Sequence, residues 1–135
     1  MRVVLDTNVL IAAFISRGVC AELLEHCVLH HVIVLSQPIL DELREHLVGK
    51  FKYDQQQADD AVNLLRSQME IITPQQLKQP VCRDADDDLV LATAVTGGAA
   101  CIVTGDKDLL VLQRHEEIAI VSPSQFADFE APKGP

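Results

Sequence analysis

Val3-Val4-Leu5-Asp6-Thr7-Asn8-Val9-Leu10 is the stretch on which the fold turns. The apolar, β-branched run Val3-Val4-Leu5 reads as a short buried strand that stops at Asp6. Thr7 or Asn8 then caps a helix through Val9-Leu10-Ile11-Ala12-Ala13-Phe14. A fully apolar strand feeding directly into a helix is the opening of a βαβ unit, whose parallel strands are buried on both faces.

The same alternation continues outward from it. Gly18 breaks the first helix, and a second carries Leu23, Leu24, Cys27 and Val28 at helical spacing. The next strand runs from His31 to Leu35, followed by Ser36 as N-cap and Pro38 in the first turn of another helix. Asp54 opens a helix with Ala58, Ala61, Val62, Leu64 and Leu65 on its apolar side. Glu70-Ile71-Ile72-Thr73-Pro74 is a short strand, and Pro74 to Pro80 form a polar, Gln-rich loop. Asp84 to Asp88 open a helix that ends at Gly97-Gly98. Strands at 100–104 and 118–121 follow, and Ser122 or Ser124 starts a short last helix. The expected fold class is therefore α/β, a central parallel sheet with helices on both faces. Residues 1–130 are expected to form one domain and residues 131–135 a frayed tail.

At 135 residues the chain suits a single core, and 48% hydrophobic content with only 4% aromatic makes that core aliphatic. No apolar run approaches the roughly 20 residues of a membrane span. The start, Met1-Arg2-Val3-Val4-Leu5-Asp6, is too soon charged for a signal peptide. A soluble cytoplasmic protein with no membrane partner is the expectation. Cys20, Cys27, Cys82 and Cys101 form no C-x-x-C pair and read as reduced packing residues. Cys27 with His31 is a weak zinc pattern, since His30-His31 also suits a helix C-terminus.

The net charge of −9 (Lys+Arg 11, Asp+Glu 20) argues against a nucleic-acid binder, unless several of the acids hold a cation that reverses the local sign. Four acids are placed to do so. Asp6 follows the first strand, and Asp106 follows Ile102-Val103-Thr104-Gly105. In an open α/β sheet both would face the crevice beyond the strand ends. Glu42 lies at the border of the Ile39, Leu40, Leu43, Leu47 stripe, at about 100° per residue, while Asp41 and Glu45 point away. Asp87 shares the inner side of its helix with Leu91, Ala94 and Val95; Asp84 or Asp86 suits the cap, and Asp88 is the near rival. Singly, each acid has an ordinary role as cap, turn or surface charge. Together they make a site for a hard divalent ion.

These pieces in this order, Leu5-Asp6-Thr7-Asn8, Leu40-Asp41-Glu42-Leu43, Asp87-Asp88-Leu89-Val90-Leu91-Ala92-Thr93-Ala94 and Val103-Thr104-Gly105-Asp106-Lys107-Asp108, resemble a PIN-domain nuclease over almost the whole chain. The nearest likeness is to small bacterial PIN proteins of toxin–antitoxin pairs, akin to VapC-type toxins. The resemblance implies a three-layer α/β/α sandwich and Mg²⁺- or Mn²⁺-dependent hydrolysis of single-stranded RNA. It also implies an antitoxin partner and a homodimer. It assigns catalysis and metal binding to Asp6, Glu42, Asp87 and Asp106, with Thr104 in support; the Asp86-Asp87-Asp88 run leaves Asp88 as the alternative third acid, and Asn8 is a further supporting candidate. Arg17, Lys50, Lys52, Arg83 and Lys107 are the positive residues available to RNA.

Two other classes fit less of the chain. A catalytically idle PIN-like module would bind RNA or a partner without needing the acid quartet. An Asp-based phosphoryl-transfer protein also places Asp after its first strand, with Thr104 and Lys107 downstream. The phosphatase of that class needs a second Asp at the position held by Asn8, and the receiver needs an acidic pair where Leu5 precedes Asp6.

Overall fold

The computed structural model describes residues 1–131, so of the expected tail 131–135 all but Ala131 lies outside the described residues. Among the described residues six strands form one sheet in the order β3-β2-β1-β4-β6-β5. They are β1 (Arg2–Leu5), β2 (Val32–Ser36), β3 (Glu70–Ile72), β4 (Cys101–Val103), β5 (Arg114–His115) and β6 (Ile118–Val121). All pairings are parallel except β5 with β6. From β1 the chain steps through β2 to β3, then returns to lay β4 and β6 on the other side. The direction of travel reverses between β1 and β4, and Val3, Val4 and Leu5 pair there with Cys101, Ile102 and Val103.

Helices α1 (Thr7–Ile15), α2 (Val19–His30), α3 (Gln37–Gly49) and α4 (Gln55–Gln68) follow β1 and β2 and pack on one another. Helix α5 (Ala85–Gly97) returns across β1, β2, β3 and β4. Right-handed crossovers in opposite directions along a sheet place their helices on opposite faces, so α5 covers the second face. The fold is the expected mixed α/β sandwich with a mostly parallel sheet. Its centre is aliphatic: Val3, Val4, Leu5, Ile33, Val34, Leu35, Ile102 and Val103 are buried on the central strands.

Several local expectations shift. The cap of α1 is Asp6 itself, whose Oδ1 accepts from the backbone N–H of Thr7 at 2.7 Å. Ser36 is the last residue of β2, and its hydroxyl pairs with Thr93 at 2.8 Å instead of capping α3. Val95 and Leu64 are exposed, because the buried stripe of α5 runs through Val90, Leu91, Ala94 and Gly97 and that of α4 through Ala58, Ala61 and Leu65. The final helix, α7 (Phe126–Glu130), starts later than either serine, which serve the preceding turn. Two elements have no counterpart in the reading of the sequence: α6 (Lys107–Leu110) and the edge strand β5. A polar pair, Arg114-His115, carries no apolar signal. It is paired only because Glu116, at φ 55°, turns the chain back onto β6.

Candidate functional site

The reversal point between β1 and β4 is where an open α/β sheet leaves a crevice. Asp6 leaves β1 there, and Thr104 and Asp106 follow β4. Asp6 is 6% exposed, and its carboxylate is tied on both oxygens. Oδ1 holds the start of α1, and Oδ2 accepts the Thr104 hydroxyl at 2.7 Å and the Asn8 side-chain amide at 3.4 Å. Thr104 Oγ1 in turn accepts the backbone N–H of Asp106 at 2.9 Å, and Asn8 Oδ1 that of Gly105 at 3.2 Å. One small network thus locks the ends of two neighbouring strands together and fixes the aim of Asp6.

The remaining acids arrive from three helices. Asp106 caps α6, accepting from the Asp108 N–H at 2.9 Å. Asp87, only 8% exposed, comes from the first turn of α5, which Asp84 caps. Glu42 reaches in from α3 and accepts the Thr7 hydroxyl at 3.3 Å. Asp6, Thr7, Asn8, Glu42, Asp84, Asp86, Asp87 and Asp106 line one cleft of about 200 Å³, with His46 and Val90. All four acids named from the sequence therefore share a wall.

Asp88 does not. Its carboxylate accepts the backbone N–H groups of Val81 (3.2 Å) and Cys82 (2.8 Å), so it holds the loop before α5 and faces away from the cleft. Three participants escaped the reading of the sequence. Thr7 bridges to Glu42. His46 stands one turn beyond Glu42 on α3, a legible i+4 relation, and its Nδ1 is buried without a hydrogen-bond partner among the described residues. Asp108 brings a carboxylate oxygen to within 4.8 Å of oxygens of Asp87 and Asp106. Arg83 pairs with Asp108 at 2.9 Å on the rim.

The acids disturb one another. Burial, then the Asp106 charge, pushes Asp87 up to about 7, with Asp6 and Asp84 adding to the effect. Asp6 is raised by its burial and by Asp106, against the opposing hydrogen bonds from Thr104 and Thr7. Glu42 is raised by burial, then by Asp86 and Asp6. Ionised together, such groups want a cation between them. The donor set suits a hard one: it is mostly carboxylate oxygen. Octahedral Mg²⁺ at about 2.1 Å places its ligand oxygens about 3 to 4.2 Å apart, which Asp87, Asp106 and Asp108, with oxygens within 4.8 Å of one another, accommodate with little movement. Burial pushes the thiols of Cys27, Cys82 and Cys101 up to about 12 and raises that of Cys20.

The sheet order and the acid-lined cleft define a class, and residues 2–108 match the model of the PIN domain, so the chain belongs to the PIN domain family. Solved structures with the same fold include VapBC2 from Rickettsia felis bound to a DNA fragment from its promoter. There the identity is 18%, covering 90% of this chain and 98% of that one, with a TM-score of 0.66. VapBC-1 from nontypeable Haemophilus influenzae is similar at 18% identity over 92% of this chain and 99% of that one, TM-score 0.66. FitAcB from Neisseria gonorrhoeae follows at 14%, 90%, 98% and 0.57. No curated protein sequence matches the chain.

Proposed function

We propose that residues 1–130 form a single-domain, metal-dependent endoribonuclease that hydrolyses phosphodiester bonds of single-stranded RNA. The observation that carries this reading is the convergence of Asp6, Glu42, Asp87 and Asp106 on one open cleft at the sheet's reversal point. Asp87 and Asp106, with Asp6 and Glu42 lining the same cleft, would hold Mg²⁺ or Mn²⁺. A divalent cation there lowers the pKa of coordinated water and neutralises phosphate charge.

The chain's own part is orientation and proton management. Thr104 and Asn8 keep both oxygens of Asp6 fixed. Glu42, with its affinity for a proton raised, is suited to take one from an attacking water. Arg83 on the rim offers a positive contact to the RNA backbone. The fold shared with VapBC structures supports a toxin role with an antitoxin partner; a cytoplasmic location and a homodimeric state belong to the same proposal.

A fluorescent single-stranded RNA, incubated with purified protein and Mn²⁺, tests the reading. Cleavage is expected with the metal, not with a chelator. Asp6→Asn should lose activity by orders of magnitude while retaining the wild-type circular dichroism spectrum. An Asp6→Asn protein cutting at the wild-type rate overturns it.

A further inference from the structure

A second cluster of metal-binding groups lies away from the acid cleft, where the chain enters β2. His26 is on α2, His31 stands just before β2, and Glu130 ends α7. Nε2 of His26 is 2.7 Å from Glu130 Oε2, and Nε2 of His31 contacts the same oxygen. The two imidazole nitrogens and the carboxylate oxygen all lie within 4.8 Å of one another. Glu130 stands 104 positions from His26 and 99 from His31, so its meeting with the two histidines is tertiary.

Each ring is held in its aim. The rings of Phe126 and His31 meet in a T-shape with centroids 5.8 Å apart, and Nδ1 of His31 is 3.2 Å from the amino nitrogen of Met1. The ring of His30 lies against His26 at 4.7 Å. A fixed ring plane is what a ligating histidine needs; the Met1 ammonium is a donor, so Nε2 of His31 ligates only in the tautomer that gives up that contact. Among the described residues the ion-pair partners of Glu130 are these two histidines. Beside the cluster opens a cavity of about 260 Å³, walled by His26, Glu130, Phe126 and Glu22, the last one turn before His26. The cavity gives an ion an entry path, room for water at the remaining coordination position, and a further carboxylate.

We propose that His26, His31 and Glu130 form a binding site for a divalent transition metal of the Zn²⁺ class. Two imidazoles and one carboxylate, with an open fourth position, are a donor set that Zn²⁺ takes tetrahedrally. Mg²⁺, which requires oxygen, does not. The site clips α7 to the junction of α2 and β2. It is distinct from the acid cleft in position and in metal preference, and it stands or falls independently of the nuclease reading.

Long-range ¹H–¹⁵N spectra of the histidine rings, recorded with excess Mg²⁺ and titrated with Zn²⁺ alone, test it. One equivalent of Zn²⁺ is expected to shift Nε2 of His26 and His31 while leaving His115 unmoved. Loss of a supporting partner costs a metal site about ten- to a hundredfold in affinity, so His26→Ala and Glu130→Gln, each removing a ligand, should weaken Zn²⁺ binding at least about tenfold. His26 is 42% exposed in its side chain, which makes its replacement compatible with folding. Ring signals of His26 and His31 that ignore Zn²⁺ in the wild-type protein, or a Zn²⁺ affinity in both variants equal to that of wild type, overturn the proposal.

Discussion

Asp87 shows how far one side chain can be asked to do two things. In the metal-free protein it is buried among other acids, and its pKa stands at about 7 against an ordinary 3.8. The folded state therefore holds a proton that the unfolded chain gives up. Its stabilising effect is complete below about pH 3.8 and is lost as pH rises through about 7. Asp87→Asn is expected to remove that loss, so in chelator the variant should be more stable than wild type by on the order of 2 kcal/mol at mildly alkaline pH. At acid pH the two should match. Urea melts across that range check it, and wild-type stability that does not decline with pH would contradict the assigned environment. Asp6 and Asp87 were legible because an acid beside an apolar run or on a core-facing stripe is out of place. Asp88 and Asp108 were not. Their roles depend on which backbone N–H groups a loop presents, and no periodicity records that.

Among the elements, α5 carries most weight, since it covers four strands and delivers Asp87. Its close approach to β2 rests on Gly97: a Cβ there would stand 2.5 Å from Val34 Cγ1. Gly97→Ala should therefore destabilise the fold by roughly 1–3 kcal/mol despite alanine's better helix propensity. Adding Val34→Ala should recover part of that cost, a positive coupling that a double-mutant cycle measures. A purely additive pair would show that α5 does not rest on β2 at this point. Gly98, with φ 65°, has a separate duty as the left-handed residue that ends the helix. The long apolar periods of β1, β2, α3 and α5 were plain in the sequence because burial on one or two faces imposes them. The four-residue α6 and two-residue β5 were invisible, since both are set by local turns. The boundary of α7 moved because Ser122 spends its hydroxyl on a turn.

For the whole molecule, an overall charge of −9 is tolerable when the acids are spread, and costly where the cleft gathers them. Millimolar Mn²⁺ should raise the melting temperature by linkage, and Asp106→Asn should blunt the rise. An unchanged melting temperature would count against a shared cation. The sheet order has another consequence. Residues 1–72 build β1, β2 and β3 and bring Asp6 and Glu42; residues 85–130 build the other three strands and bring Asp87 and Asp106. Only the segment between them, which carries no helix or strand, joins the two halves. A backbone cut in that segment would leave two fragments, each owning half of the sheet and half of the acids. Neither alone has a cleft, so cleft chemistry in a mixture of the two would report their reassembly.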